Sequence, residues 1–477
     1  MKHDALVIGS GPNGLAAAIA LVSEGYSVRL IEGAPRLGGG LRCHRELESD
    51  FLHDHCAAVH PMGILSPFFS QLELESCGLT WCQSDVSVAH PLLDGPAAIV
   101  TRDLERTSER LGPVDARRWR ALLAGFVRAG RPLFQQLMAP PTLFPQAPFQ
   151  MLRFAWHGLR PAQARAEALF EGASARALFA GLAGHSILPL DRAPSSAVGL
   201  IFALAGHLVD WPCVQGGSDM LAQALLRKFV SLGGEVQTDC WVGKHSELPP
   251  HRVALYDVSP RALASIAEDV LPAGYLRRLL RYRYGPGTFK LDYTLDGPIP
   301  WTDPIVAQAS TVHVGASVDE IALSEKKAFA GETAEAPFLI VCQQSALDAT
   351  RAPAGKHTGY AYCHVPGASD VDMSERIERQ IERFAPGFRD LIRARKVTTP
   401  AQLEGQNPNF VGGAVAGGVA DLGQLFTRPV ARLNPYSTPN PRLFICSASS
   451  PPGGGVHGMC GYYAAQGALR ALKSGRA

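Results

Sequence analysis

The stretch LVIGSGPNGLAAAIALVSEGYSVRLIE, residues 6–32, decides how the rest of the chain is read. Leu6, Val7 and Ile8 form a short apolar run suited to a strand buried on both faces. Gly9-Ser10-Gly11-Pro12-Asn13-Gly14 follows at once with the G-x-G-x-x-G spacing. In that spacing Gly9 permits a tight turn, Gly11 lets the backbone approach a pyrophosphate, and Gly14 lets the next helix pack closely on the strand. An alanine-rich helix is predicted from Leu15 to Glu24, ending at Gly25, with the positive end of its dipole facing the phosphates. Val28 to Ile31 make the next strand and deliver Glu32, whose carboxylate can accept the hydroxyls of an adenosine ribose. A glycine turn alone says little. Here the strand before it, the helix after it, the second strand and the acidic residue agree on a bound dinucleotide; the bland alternative is the same βαβ unit without a ligand.

Composition narrows the classes. A chain of 477 residues with 46% hydrophobic residues can bury large cores in two or three domains. Charged residues make up 18%, below the usual ~25%, which leaves room for an apolar pocket or surface. The net charge of +2 and the absence of a long basic run call for no nucleic acid. The first strand begins almost at Met1, with no secretory signal before it, so a cytoplasmic location is expected. The longest apolar runs, such as Val198 to Ala205, are far shorter than the ~20 residues of a membrane span. None of the ten cysteines is spaced C-x-x-C, so neither a dithiol redox centre nor a zinc site has its local signature, and reduced thiols and no metal are expected.

Beyond Glu32, Pro35 to Arg42 place Gly38, Gly39 and Gly40 before a cation. Such a turn can lie flat against a cofactor with Arg42 neutralising phosphate, or be an ordinary surface turn. His53, His55 and His60 lie within eight residues without a completing ligand set, which favours a satisfied polar loop over a metal site. From Thr101 to His207 the pattern is helical, with Trp119, Leu122, Leu123 and Phe126 at three- and four-residue spacing. The proline-broken apolar stretch from Met138 to Phe149 interrupts it, either as a lid that touches lipid or a greasy substrate or as a packed connector. Gly216-Gly217-Ser218, a glycine turn with Ser218 as the expected cap, leads into a helix with Leu221, Leu225 and Phe229 on one face. A strand alternating Val236, Thr238, Cys240 and Val242 follows, then one at Val253 to Val258, then a helix start at Ser259-Pro260.

Phe289, Leu291, Tyr293 and Leu295 alternate with Lys290, Asp292 and Thr294. Further strands are predicted at Thr311 to Val314, Phe338 to Gln343 and Gly359 to Val365, giving a largely antiparallel second sheet. On the last, Tyr360, Tyr362 and His364 share a face that lines a pocket or packs across strands. Ile377, Ile381 and Phe384 mark an amphipathic helix. Near the end, a strand from Leu443 to Cys446 runs into Pro451-Pro452-Gly453-Gly454-Gly455-Val456 and a small-residue helix from about His457 to Leu472. Two glycine loops a whole chain apart fit the two ends of one dinucleotide.

On these motifs the chain resembles the flavin-dependent phytoene desaturase-like oxidoreductases, of the flavin amine oxidase and desaturase superfamily. Within them it is similar to the branch of pyridine nucleotide-disulfide oxidoreductase domain-containing proteins. The resemblance rests on Val7 to Glu32, Gly38-Gly39, Tyr284 to Lys290 with Leu295 to Trp301, and Pro452 to Gly461. It implies that Gly9, Gly11, Gly14 and Glu32 hold the adenosine diphosphate half of FAD, with the Val242 backbone beside adenine and Gly455 and Val456 against the flavin ring. Three features depart from the pattern. Gly40 and Leu41 separate the paired glycines from Arg42, Ser447 replaces a common glycine, and a strand pair between Val242 and Val253 is cut down. The missing C-x-x-C and the single strand-linked glycine motif argue against a disulfide reductase.

The expected architecture is α/β with two domains. A discontinuous Rossmann-like FAD-binding domain spans residues 1–75, 210–265 and 430–477. An inserted substrate domain, helices plus a mostly antiparallel sheet, spans 76–209 and 266–429. The expected function is FAD-dependent oxidoreduction of a hydrophobic small molecule, polyene or isoprenoid-like, with hydride transfer to flavin N5 and with oxygen, a quinone or another acceptor reoxidising the flavin. Peripheral contact with a membrane is part of this expectation. His457 stands beside the flavin loop as a proton-moving candidate or a plain helix-start residue, and His60 is a second candidate. The alternatives are a flavin oxidase of an amine, marked by an aromatic pair that includes Tyr462 or Tyr463, and a flavin-containing interaction protein without turnover.

Overall fold

The computed structural model describes residues 3–140 and 144–475. Five parallel strands form the first sheet, in the order Leu443–Ile445, His251–Tyr256, His3–Ile8, Val28–Ile31, Glu235–Gln237. Parallel strands need covering on both faces, and the apolar runs split by parity to meet that need. Ala5, Val7, Val253 and Leu255 join the core under helices Pro12–Val22, Asp219–Ser231 and Met459–Lys473. Leu6, Ile8, Ala254 and Tyr256 join the opposite core with Leu263, Tyr275 and Leu279 of helices Pro260–Ile266 and Ala273–Leu280. Each such fully buried Val, Leu or Ile contributes roughly 1.5–3 kcal/mol.

The first and last helices touch backbone to backbone. A Cβ on Gly461 would lie 1.8 Å from the Asn13 carbonyl oxygen, so only glycine lets helix Met459–Lys473 settle against the glycine turn.

The second sheet has seven strands in the order Ile392–Thr398, Gly287–Leu295, His357–Val365, Leu339–Cys342, Ala309–Val314, Val86–His90, Ala98–Val100. It is antiparallel except where Val86–His90 pairs parallel with Ala309–Val314. Phe289, Leu291, Tyr293 and Leu295 pack on Ile377, Ile381 and Phe384. The alternate residues Lys290, Tyr360 and Tyr362 therefore face the other way, into the cavity between the sheets. Helices Pro113–Leu137, Pro148–Gly158, Ala162–Leu169, Ala173–Gly184 and Ser195–Val209 cover this side. The run Val198 to Ala205 lies within the last of these and is largely core.

Two expectations need correcting. The alternation from Val236 to Val242 yields only the short, exposed edge strand Glu235–Gln237; Asp239 takes φ 51° and turns the chain out of the sheet. Ser218 does not cap helix Asp219–Ser231, because its hydroxyl donates to the Ala57 carbonyl and meets His60. Ser259 does cap its helix, accepting the Ala262 N–H at 3.2 Å. Between Val242 and the strand His251–Tyr256 there is only a short 3-10 turn, His245–Glu247. Of the stretch from Met138 to Phe149, residues 141–143 lie outside the described residues. Met138 and Pro140 are buried, whereas Phe144 and Phe149 are exposed by 90% and 83%, so residues 144–149 are not a packed connector.

Candidate functional site

The glycine turn is built as its spacing requires. Gly9 has φ 97°, and a Cβ there would sit 2.6 Å from the Asp257 carbonyl oxygen. A Cβ on Gly14 would lie 2.0 Å from the Gly9 oxygen. Gly11 precedes helix Pro12–Val22, where Pro12 has no N–H and Asp257 takes the Gly14 N–H, so the Asn13 amide is the one at the helix start left for an anion. Glu32, at the end of its strand, accepts the N–H of Ser10 and of Ala34, each at 2.9 Å, and remains on the cavity wall. Asp257, at the end of the neighbouring strand, accepts the Gly14 N–H at 2.8 Å. Burial pushes this carboxyl up to about 7.

One cavity of about 600 Å³ starts at this turn. Gly9, Gly11, Glu32 and Val242 line one end, Gly39 and Arg42 follow, and Gly455 and Val456 come next. The far end meets the second sheet at Lys290, Thr311, Ile340, Tyr360 and Tyr362, and the helical layer at His185, Phe202 and Trp211. The two glycine loops thus open onto one space. Gly14 and Gly38 stand behind the wall and shape it. Arg42 is held by the carbonyls of Gly39, at 2.9 Å, and Gln406, at 2.8 Å.

Of the two histidine candidates, only His60 reaches the cavity wall. It bonds Ser218 Oγ at 2.8 Å and is neutral, burial lowering it to about 4. His457 is buried behind the loop. Its Nδ1 accepts the Met459 N–H at 3.0 Å, which is the helix-start role. Tyr462 and Tyr463 also miss the wall, packing on Phe68 and Tyr436. Aromatic pairs on the wall are Tyr360 with Tyr362, ring centroids 6.1 Å apart, and Phe202 with Trp211, 5.0 Å apart.

Beneath the cavity lies a charged floor that sequence patterns did not assemble. Lys290 donates to the Asp54 carbonyl at 2.9 Å and pairs with Asp292, beside His44 and His53. Burial alone would raise Asp292, but the Lys290 ammonium together with His44 and His53 outweighs it and holds the carboxyl at about 2. Arg351, fully buried, bridges Asp54 and Asp348 at 2.8 Å each. The histidines of the 53–60 loop border this network without being satisfied by it: His60 bonds Ser218 through Nε2, while the His60 Nδ1 and both ring nitrogens of His53 are buried without a hydrogen-bond partner among the described residues. Asp257, Lys290, His185 and Trp211 were not singled out as site residues. Only Asp257, directly after an apolar strand and before Ser259-Pro260, carried a local signal.

With the turn, the second loop and the cavity joining them in place, comparison with known proteins gives a consistent result. Residues 7–72 match the family of NAD(P)-binding Rossmann-like domains. Along nearly its whole length the chain is similar to the mouse pyridine nucleotide-disulfide oxidoreductase domain-containing protein 2, at 25% identity over 99% of this chain and 94% of that protein. It is also similar to a component of the limonene dehydrogenase of Castellaniella defragrans, at 23% identity over 97% of this chain and 94% of that protein. Among solved structures, an engineered putrescine oxidase shares the fold, with a TM-score of 0.63, 16% identity and 99% of each chain covered. The chain shares with that structure its fold, a parallel Rossmann-like sheet beside a separate, mostly antiparallel one. No helix among the described residues is long and apolar enough to cross a membrane.

Proposed function

We propose that this protein is an FAD-dependent oxidoreductase acting on a largely apolar small molecule. The observation that carries the reading is the single cavity joining both glycine loops to the inner face of the second sheet. The residues fit the cofactor: the Gly9 to Gly11 turn and the Asn13 amide for the pyrophosphate, Glu32 for the ribose, the Val242 backbone for adenine, and Gly455 with Val456 for the ring. Bound FAD supplies the hydride acceptor that no side-chain constellation here replaces. The protein's own part is to hold the substrate against the ring and exclude water, with Tyr360, Tyr362, Phe202, Trp211 and Ile340 as walls.

The far end of the cavity favours an apolar substrate over an amine. The wall-lining carboxylates, Glu32 and Asp257, stand at the glycine-turn end, whereas the sheet end carries the Lys290 cation and no carboxylate to hold an ammonium. The similarity to a limonene dehydrogenase, named for a hydrocarbon substrate, agrees with this choice. Desaturation, saturation and isomerisation of an isoprenoid-like molecule all fit the wall. Desaturation leaves two electrons that a quinone, oxygen or another acceptor would take, saturation would need an electron donor instead, and isomerisation needs neither.

An apolar substrate is most concentrated in lipid, and one surface suits lipid. Phe149, Leu152, Trp156 and Leu159 follow one face of helix Pro148–Gly158 and its end, and all are exposed, with Phe144 alongside. Between residues 116 and 166 there are eight arginines and no acidic residue. Exposed aromatics backed by cations are the composition of a helix that lies in an anionic bilayer interface. None of the described residues of the 138–149 stretch lines the cavity, so this is a docking surface and not a lid.

The deciding experiment is to denature the purified protein gently, identify the released cofactor, and follow bleaching of the bound chromophore under anaerobic conditions with terpenes and with primary amines. About one FAD per chain and bleaching by a terpene are expected. Stoichiometric NAD without flavin would overturn the cofactor, and bleaching by amines alone would overturn the substrate class.

A further inference from the structure

At the end of the cavity away from the glycine turn stands His185, which closes helix Ala173–Gly184. Its ring packs among Phe202, at 4.6 Å between centroids, Trp211, at 5.4 Å, and His313, at 4.9 Å. The contact with His313, on the strand Ala309–Val314, is a direct hydrogen bond, Nε2 to Nε2, at 2.8 Å. Burial lowers His185 to about 3 and His313 well below its usual value, so both rings are neutral. Each neutral ring carries one proton, and only one of the two can lie in the shared bond.

Burial decides which ring donates. His313 is fully buried and its Nδ1 has no partner among the described residues. The backbone of Gly181 closes that side, where a Cβ would come within 2.8 Å of the His313 Nδ1. The next imidazole, His90, uses its Nε2 on the Gly315 carbonyl at 2.8 Å, and its Nδ1 does not bond His313. A proton on His313 Nδ1 would therefore be a buried donor without an acceptor, a state native structures avoid. The proton belongs on His313 Nε2, which donates to His185 Nε2. That leaves the His185 proton on Nδ1.

The His185 Nδ1 bonds no described protein group and is not sealed from solvent. We infer that His185 is a hydrogen-bond donor at the apolar end of the cavity, fixed in its tautomer by His313, that selects substrates carrying an oxygen acceptor such as a carbonyl on an otherwise hydrocarbon frame. Its neighbours sharpen the selection. Phe202, Trp211 and Ile340 offer no acceptor of their own, and the Tyr362 hydroxyl can turn either way, whereas the His185 N–H can only donate. A site built to donate to an oxygen discriminates against the molecule that lacks it, because the donor is then left without a partner.

This inference deepens the apolar-substrate reading above and rests on it. The test uses carvone and limonene, which share a carbon skeleton and differ by one carbonyl, titrated into the purified protein as isolated. Trp211 against the His185 ring provides a local fluorescence signal. Carvone is expected to bind about tenfold more tightly than limonene, the worth of one net hydrogen bond to a desolvated group. His185→Phe should bring the ratio to about one, and His185→Gln, which retains an N–H donor, should restore part of it. Nitrogen chemical shifts of 15N-histidine-labelled protein should show a protonated Nδ1 and bare Nε2 on His185, with the reverse on His313. A wild-type ratio near one, a ratio that survives in His185→Phe, a cavity that admits neither probe, or a protonated Nε2 on His185 would each overturn the inference. None of these readouts uses the flavin, so absence of FAD would sink the oxidoreductase reading separately.

Discussion

The carboxylate of Asp257 accepts the backbone N–H of Gly14 at 2.8 Å, placing an acidic group at the mouth of the dinucleotide turn. Burial, with the nearby Glu32 carboxylate adding to it, pushes that acid up to about 7. A folded-state pKa above the usual 3.8 contributes stability that is complete below about pH 4 and is lost as the pH rises through 7. The cofactor-free protein should therefore melt at progressively lower temperature across that window. Asp257→Asn, which keeps an oxygen for Gly14, should flatten the profile; a wild-type melting temperature that rises from pH 4 to 7 in parallel with the variant would refute the assignment.

Glu32 bonds Ser10 and Ala34 and also presents its carboxylate to the cavity. Glu32→Ala should weaken FAD binding by at least about tenfold, ~1.4 kcal/mol, with Glu32→Gln intermediate because it keeps one acceptor oxygen. The ratio of flavin to protein after gel filtration measures this. Equal flavin content in all three proteins would remove Glu32 from the cofactor site.

Arg351 joins Asp54 and Asp348 with all three side chains buried. Arg351→Leu leaves two buried carboxylates without their cation, a change expected to cost about 3–5 kcal/mol. The urea midpoint reports it. Burial opposes ionisation of Asp54, yet Arg351 and the hydrogen bonds from Ser218 together outweigh it and hold the acid well below 3.8. The stability from this pair is thus present above pH 4 and lost as the pH falls below it, the opposite slope from Asp257.

Replacing Phe149 and Trp156 by serine should abolish sedimentation with vesicles rich in phosphatidylserine while leaving flavin content unchanged. Wild-type binding should weaken with added salt and be small on phosphatidylcholine alone, because the arginines provide the electrostatic share. Wild-type protein that ignores both vesicle types would reject the lipid surface.

The parts legible in the sequence are those whose partners are close along the chain. Residues 6–32 contain their own strand, turn, helix and strand, and the glycine spacing states its geometry directly. The second sheet was legible by parity, since Phe289 to Leu295 alternate cleanly. The edge strand was over-read because Val236 to Val242 alternate, while Asp239, which ends the pairing, looks unremarkable in sequence. The charged floor was invisible for a different reason: Asp54, Lys290 and Arg351 are brought together only by the meeting of two sheets. His185 and His313, 128 positions apart, are likewise joined by tertiary packing alone.

The order of strands in the first sheet sets a timetable for biogenesis. The strand His3–Ile8 is made first, yet one neighbour arrives with His251–Tyr256, and the sheet is finished only by Leu443–Ile445. At translation rates of ~5–20 residues per second, the first strand waits roughly 10 to 50 s for the former and roughly 20 to 90 s for the latter. Throughout that interval an apolar, parallel-pairing edge is on display outside the ribosome. A nascent chain in this position is a natural client for holding chaperones, and slowed synthesis of residues 32–250 should lower soluble yield more than an equal delay after residue 445.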